Sequence, residues 1–339
     1  MKYSLALALL LASVASHCSE LKTIDLQNEN VVVRVSPQMG GRLLEFALHE
    51  HASIIKVGDE VFSNPQPEVT AQSDNIGYMG HIVWLSPQSQ WWRQQTINKS
   101  RFENAAAWPP DPFLVQASNT VLKNNKRLIH LLGPASPVSG VRIEKTFELM
   151  AAQPHGLNLG AIATNMGEST VSWGLWFNTR LEADAKVYVP VLNEKDIRMW
   201  DTKPEESPLS FSVVDGILAL HSPPPEKGKT RRNGKLFIKP SAGWMAAFDE
   251  KQLIIIQFDL QPHVAIHPEQ AQVELYMDYQ KQALEEGLIE MELHSPYTEM
   301  PPGASIESGQ QWLLLPYQGK NSDKARRAFL VKTIESLNR

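Results

Sequence analysis

The sequence predicts an all-β fold: a large antiparallel β sandwich braced by one C-terminal helix. Three observations carry this expectation. Many short runs alternate apolar and polar residues with a period of two, turn residues separate them at short intervals, and helical periodicity is confined to the end of the chain. With 339 residues, 42% of them hydrophobic, one core can be filled, because sandwiches run to about 250 residues as a single domain. The expected organisation is a targeting segment over 1–18, a sandwich over 22–320 and a helix over 321–339.

The first segment pairs Lys2 with an apolar stretch over residues 5–14, too short to span a bilayer, followed by small residues around Ala15. Export to the periplasm or beyond is expected, with no membrane span. Cys18, the sole cysteine, stands where a lipid anchor would attach, but His17 occupies a position where a lipoprotein signal carries a small residue, so plain secretion is preferred. A single cysteine excludes a disulfide within the domain, a cysteine metal site inside it and a thiol nucleophile. The net charge of −5 carries no basic stripe; the run KGKTRR over 227–232 reads as a solvated loop, and no nucleic-acid partner is expected.

VVVRV at 31–35 and RLLEFAL at 42–48 read as a hairpin joined through Gly40 and Gly41, with Arg42 opening the return strand. His49 and His51 fall at its solvated end. Residues 63–115 form a long aromatic excursion that brings Trp84, Trp91, Trp92 and Trp108 among polar residues, the composition a sugar-binding cleft needs, since pyranose CH faces stack on indole rings; the competing role is capping the core. Strands follow at 127–132, 140–149, 157–165, 171–181 and 186–192, and later in FSVVDGILALH, KLFIKP, GWMAAFDEKQLIIIQFDL and QVELYMDYQ. Turns are expected at Asp215-Gly216, Asn233-Gly234 and Asp249-Glu250. His263 and His267 are flanked by prolines and lack the HExxH context, so they read as loop residues. The helix begins at Ser322 or Asp323 and presents Phe329, Leu330 and Ile334 to the sandwich.

The strongest chemical signal is the last long strand, GLIEMELH. Extended backbone puts Glu290, Glu292 and His294 on one face and Ile289, Met291 and Leu293 on the other. A half-buried strand shows the same alternation on its solvent side, so the face is a candidate. Pro301, Pro302 and Gly303 then turn the chain into a return strand at 311–315. Within 171–181, Trp176, Asn178 and Arg180 share a face. No phosphate-binding loop, dinucleotide fingerprint, nucleophile elbow or metal site is found, and no cofactor is expected.

The opening hairpin, GVRIEKTFEL, ATNMGESTVSWGLWFNTRL and MELHSPYTEMPPGASIESGQQWLL together resemble the galactose mutarotase-like supersandwich proteins, and NIGYMGHIVWLSPQSQWW with WPPDPF resembles the DUF4380 family within that group. The resemblance implies a large antiparallel supersandwich with a carbohydrate site on one concave sheet. It also implies that Glu292 matches the mutarotase base, whereas Gly174 stands where the mutarotase histidine would be, leaving His294 or His81 as the acid. The reading adopted is an exported protein that recognises a sugar or oligosaccharide, with Glu292, His294 and His81 as candidate catalytic residues and Arg42, Trp84, Trp91, Trp176, Asn178, Arg180 and Glu290 as candidate binding residues. The alternatives are an aldose 1-epimerase-type isomerase and a glycoside hydrolase using Glu290 and Glu292.

Overall fold

A computed structural model describes residues 20–337 apart from 105, 250, 281 and 282; the targeting segment and Cys18 lie outside the described residues. Two mostly antiparallel sheets pack face to face, one of eleven strands and one of ten. The alternation that predicted the strands decides which side of each sheet is inside. In Val141–Leu149, residues Val141, Ile143, Phe147 and Leu149 enter the core while Arg142 and Glu144 turn out. In Ser305–Pro316, Trp312 and Leu314 are fully buried against Phe46 and the apolar faces of both sheets, each such side chain contributing about 1.5–3 kcal/mol.

Three sequence expectations are corrected. The return strand after Pro301–Gly303 does not pair with the strand before it; it crosses to the ten-stranded sheet, between Gln252–Gln257 and Gly156–Asn165. Asn233-Gly234 is no turn but lies inside the strand Arg231–Ile238, where eight registered pairs with Val273–Gln280 and a hydrogen bond from Asn233 Nδ2 to the Tyr276 hydroxyl override the turn preference. The basic run over 227–232 is not wholly a solvated loop either: Arg231 bonds Glu206 and Asp278, and Arg232 is buried, donating to the carbonyls of Pro223 and Pro224.

The terminal helix, Asp323–Leu337, covers the outer side of the ten-stranded sheet, where Leu330 packs with Tyr188, Phe248, Ile255 and Tyr317. Among the described residues, no helix is long and apolar enough to cross a membrane. At the other end of the chain, the first hairpin turns at Gly40, whose φ of +71° suits glycine and where an added Cβ would come within 2.5 Å of the Val115 carbonyl. That close approach lays residues 111–116 beside Arg42.

Candidate functional site

Five strands lie side by side in the eleven-stranded sheet in the order His81–Ser86, Val171–Glu182, Ala283–His294, Val273–Gln280 and Arg231–Ile238. Their registers set outward-facing side chains in rows. One row is Trp84, Trp176 and His294; the next is Ile82, Asn178, Glu292, Glu274 and Phe237; a third is Arg180, Glu290, Tyr276 and Lys235. Cross-strand neighbours stand about 4.5–5.5 Å apart at Cβ, so these rows form a continuous polar and aromatic floor.

The three rows together hold a buried charge cluster. Lys235 Nζ lies 2.7 Å from a carboxylate oxygen of both Glu274 and Glu292. His294 Nε2 stands 3.5 Å from Glu274 and 3.8 Å from Glu292. Burial alone would neutralise these groups; the two carboxylates outweigh it at Lys235 and hold its ammonium above the ordinary lysine range. For Glu274, burial pushes upward, but Lys235 and then His294 overcome it and bring the carboxyl down to about 2. Glu292 goes the other way: burial raises it and Lys235 offsets only part, with Glu274 and Glu290 adding repulsion. For His294, burial pushes down, and the Glu274 carboxylate outweighs it and raises the imidazole. Two carboxylates driven apart in this way, one ionised and one biased toward the acid form, are what proton transfer requires. Glu274, Glu292 and His294 could also offer a cation three ligand atoms within 4.8 Å of one another, but the Lys235 ammonium already bridges the carboxylates.

The third row opens into a cleft of about 430 Å³, walled by Trp84, Trp176, Trp108, Trp200, Tyr276 and Glu290, with Arg42 and Arg180 at one end and Lys235 in its lining. Trp84 and Trp176 meet edge to face at 4.9 Å, and Trp108 stands 5.9 Å from Trp84. The Arg180 guanidinium lies 4.8 Å over the Trp84 ring, and Lys235 Nζ 4.8 Å over Trp176. The indole N–H groups of Trp84 and Trp176 are buried without a hydrogen-bond partner. Arg180 Nε donates to Glu290 at 2.8 Å; burial would raise the Glu290 carboxyl, but Arg180 outweighs it and keeps it low. A larger hollow of about 760 Å³ lies on the outer face of the ten-stranded sheet, lined by outward positions such as Thr146, Gly160, Gly309 and Gln311. It lacks convergent aromatic rings and a buried ionisable cluster, so the cleft is the stronger candidate.

The structure brings together most of the residues expected from the sequence. Glu290, Trp84, Trp176, Arg42 and Arg180 line the cleft, while Glu292, His294 and Asn178 lie buried in the floor beside it. His81 is a correction. It pairs with Thr179 and points between the sheets, 4.9 Å from Trp312 of the opposite sheet, with Nδ1 bonded to Thr179 Oγ1; burial and then the Arg180, Lys145 and Arg42 charges push it down to about 3. It cannot share a proton path with Glu292. Trp91 is the second correction: its ring stacks behind Trp176 at 5.6 Å and its N–H is spent on the Leu85 carbonyl, so it buttresses the wall and does not line it. The Glu290/Glu292 pair does not flank a void as a hydrolase pair would, because both sit on one strand, tied to Arg180 and Lys235.

Sequence reasoning missed Lys235, Glu274, Tyr276 and Trp200. Glu274 and Tyr276 were available from alternation in QVELYMDYQ, which sets them opposite Val273, Leu275 and Met277.

The sequence matches the family described as Domain of unknown function (DUF4380) over residues 21–315. No curated protein is a detectable relative by sequence. Among solved structures, a putative aldose 1-epimerase from Escherichia coli is similar, with a TM-score of 0.52 at 14% identity over 87% of this chain and 99% of that one. A Synechocystis protein superposes with a TM-score of 0.56 at 12% identity, covering 93% and 100%. A galactose mutarotase-like protein from Clostridium acetobutylicum gives 0.52 at 11% identity, covering 88% and 96%. At these identities the likeness is one of fold.

Proposed function

The chain belongs to the DUF4380 family and has the galactose mutarotase-like fold, and on that premise we propose that it is a carbohydrate-binding protein whose ligand lies in the tryptophan-walled cleft. One observation carries the reading: Trp84, Trp176, Trp108 and Trp200 converge on a cleft of about 430 Å³, and the first two hold buried indole N–H donors without acceptors. Pyranose CH faces stack on such rings, and the charged groups of the same lining, Arg42, Arg180, Lys235 and Glu290, offer partners to sugar hydroxyls. The order of charge, apolar stretch and small residues in the first eighteen positions supports action outside the cytoplasm.

A second reading, an aldose isomerase, is favoured by the state of Glu292. Its Oε1 is buried without a partner and its carboxyl is raised by burial, the direction of shift a proton-transferring carboxyl needs. His294, whose Nδ1 is likewise unpartnered, would be the accompanying acid. Exchange NMR on free hexoses, pentoses and uronic acids, with the intact protein and Glu292→Gln, separates the two. Binding predicts broadened sugar resonances with both proteins and anomer interconversion no faster than in buffer. Interconversion accelerated by the intact protein and abolished by Glu292→Gln would make it an isomerase; no response from any sugar in either measurement would reject the cleft.

A further inference from the structure

We propose that the arginine end of the cleft, formed by Arg42 and Arg180, is a subsite for the anionic group of an acidic sugar: a uronate carboxylate or a sugar phosphate. This rests on the cleft being a carbohydrate site and narrows its ligand class.

Positive charge at this end of the cleft is unmatched. The other cations lining the cleft have carboxylates: Lys235 lies against Glu274 and Glu292, and Arg180 Nε donates to Glu290 at 2.8 Å. Arg42, 3% exposed, pairs with no carboxylate among the described residues. Its two terminal nitrogens donate to the carbonyls of Met79 and Val115, and its Nε has no partner. Arg180 leaves Nη1 without a partner as well. The two residues approach each other at Gly80, where the Arg42 stem lies close and whose carbonyl accepts the Arg180 backbone N–H at 3.1 Å, and the Arg180 charge acts on Arg42.

Burial and then the Arg180 charge lower Arg42 to about 9, so it remains a cation at neutral pH. A buried cation beside a second cation is unfavourable unless an anion completes the set. The carbonyl anchors fix the Arg42 plane in advance, so a carboxylate or phosphate at this end would compensate a charge already held in place, with no side-chain ordering left to do. The aromatic wall begins next to this end, since the Arg180 guanidinium lies over Trp84. An acidic sugar can therefore stack its ring and present its charge to the arginines together.

The test is calorimetric titration of the full chain and of Arg42→Met with D-glucuronate, D-galacturonate and D-glucose 6-phosphate, each against its neutral parent hexose. In the intact protein at least one acidic probe is expected to bind about tenfold or more tightly than its parent, and Arg42→Met should erase that advantage, the acidic probe then binding the variant no more tightly than its neutral parent does. Which probe shows the advantage distinguishes carboxylate from phosphate. Should the variant fail to fold, the ligand-induced rise in melting temperature of the intact protein, acidic against neutral probe, carries the same comparison. Equal binding of acidic and neutral sugars, or an advantage that survives Arg42→Met, overturns the anion subsite and leaves the cleft intact. No binding by any sugar overturns the cleft and the subsite with it.

Discussion

Replacing Lys235 by methionine removes the cation between Glu274 and Glu292, both of which have no solvent exposure. Left without it, at least one carboxyl must take up a proton. Holding an acid of ordinary pKa about 4.3 neutral at pH 7 costs about 3.7 kcal/mol, at about 1.36 kcal/mol per unit, which agrees with the roughly 3–5 kcal/mol lost when a buried ion pair is broken. At pH 5 the same protonation costs about 1 kcal/mol. The sign follows from linkage: in the variant the folded carboxyl is raised above its unfolded value, so stability is retained at low pH and lost as pH rises through the folded pKa. In the intact protein Glu274 is lowered to about 2, so its contribution persists above the unfolded value and disappears only as pH falls toward that figure. Urea unfolding followed by tryptophan fluorescence at pH 5 and pH 7 measures both numbers. A loss below about 1 kcal/mol at pH 7, or the same loss at both pH values, would refute a cluster in which Lys235 supplies the charge balance.

Other consequences are simpler. Trp108→Ala and Trp200→Ala remove rings that are 52% and 42% exposed, so each should weaken sugar binding by about 0.5–1.5 kcal/mol with stability changed by no more than about 0.5 kcal/mol; titration and urea curves on the same samples check both. His81, pushed down to about 3, should remain a neutral imidazole at pH 5 by carbon NMR. Because its folded pKa is depressed, it should cost stability as pH falls below about 6.5, up to about 1.4 kcal/mol per pH unit, and His81→Gln should flatten that part of the profile. Gly40→Ala places a Cβ 2.5 Å from the Val115 carbonyl at a φ of +71°, so it should lower stability by more than about 1 kcal/mol and loosen the Arg42 anchor, which thermal melts and the acidic-sugar titration would register together.

The strand content was legible because core positions alternate so cleanly: residues 140–149 were read as a strand, and Val141–Leu149 is one. The grouping of Glu290, Glu292 and His294 with Trp176, Asn178 and Arg180 was readable from the same period, although only tertiary pairing made the two faces neighbours. Lys235 was hidden because Asn-Gly carries a strong local turn preference, which the ladder to Val273–Gln280 outweighs. The aromatic segment that supplies His81 as an acid candidate reads in sequence as an irregular excursion; the strand His81–Ser86 lies inside it, and a separation of three along a strand puts His81 and Trp84 on opposite faces. Trp91 could not be told from Trp108 by sequence; one is buried behind Trp176 and the other half-exposed at the mouth, a difference set by long-range packing.

A ligand in the cleft lies against four of the nine tryptophans, and fluorine NMR of 5-fluorotryptophan protein, assigned by single substitutions and titrated with the sugar panel, tests this directly. Shifts concentrated at Trp84, Trp108, Trp176 and Trp200, with the core residues Trp92, Trp173 and Trp312 still, are the expected result. A sugar that binds and moves none of the first four would contradict the site.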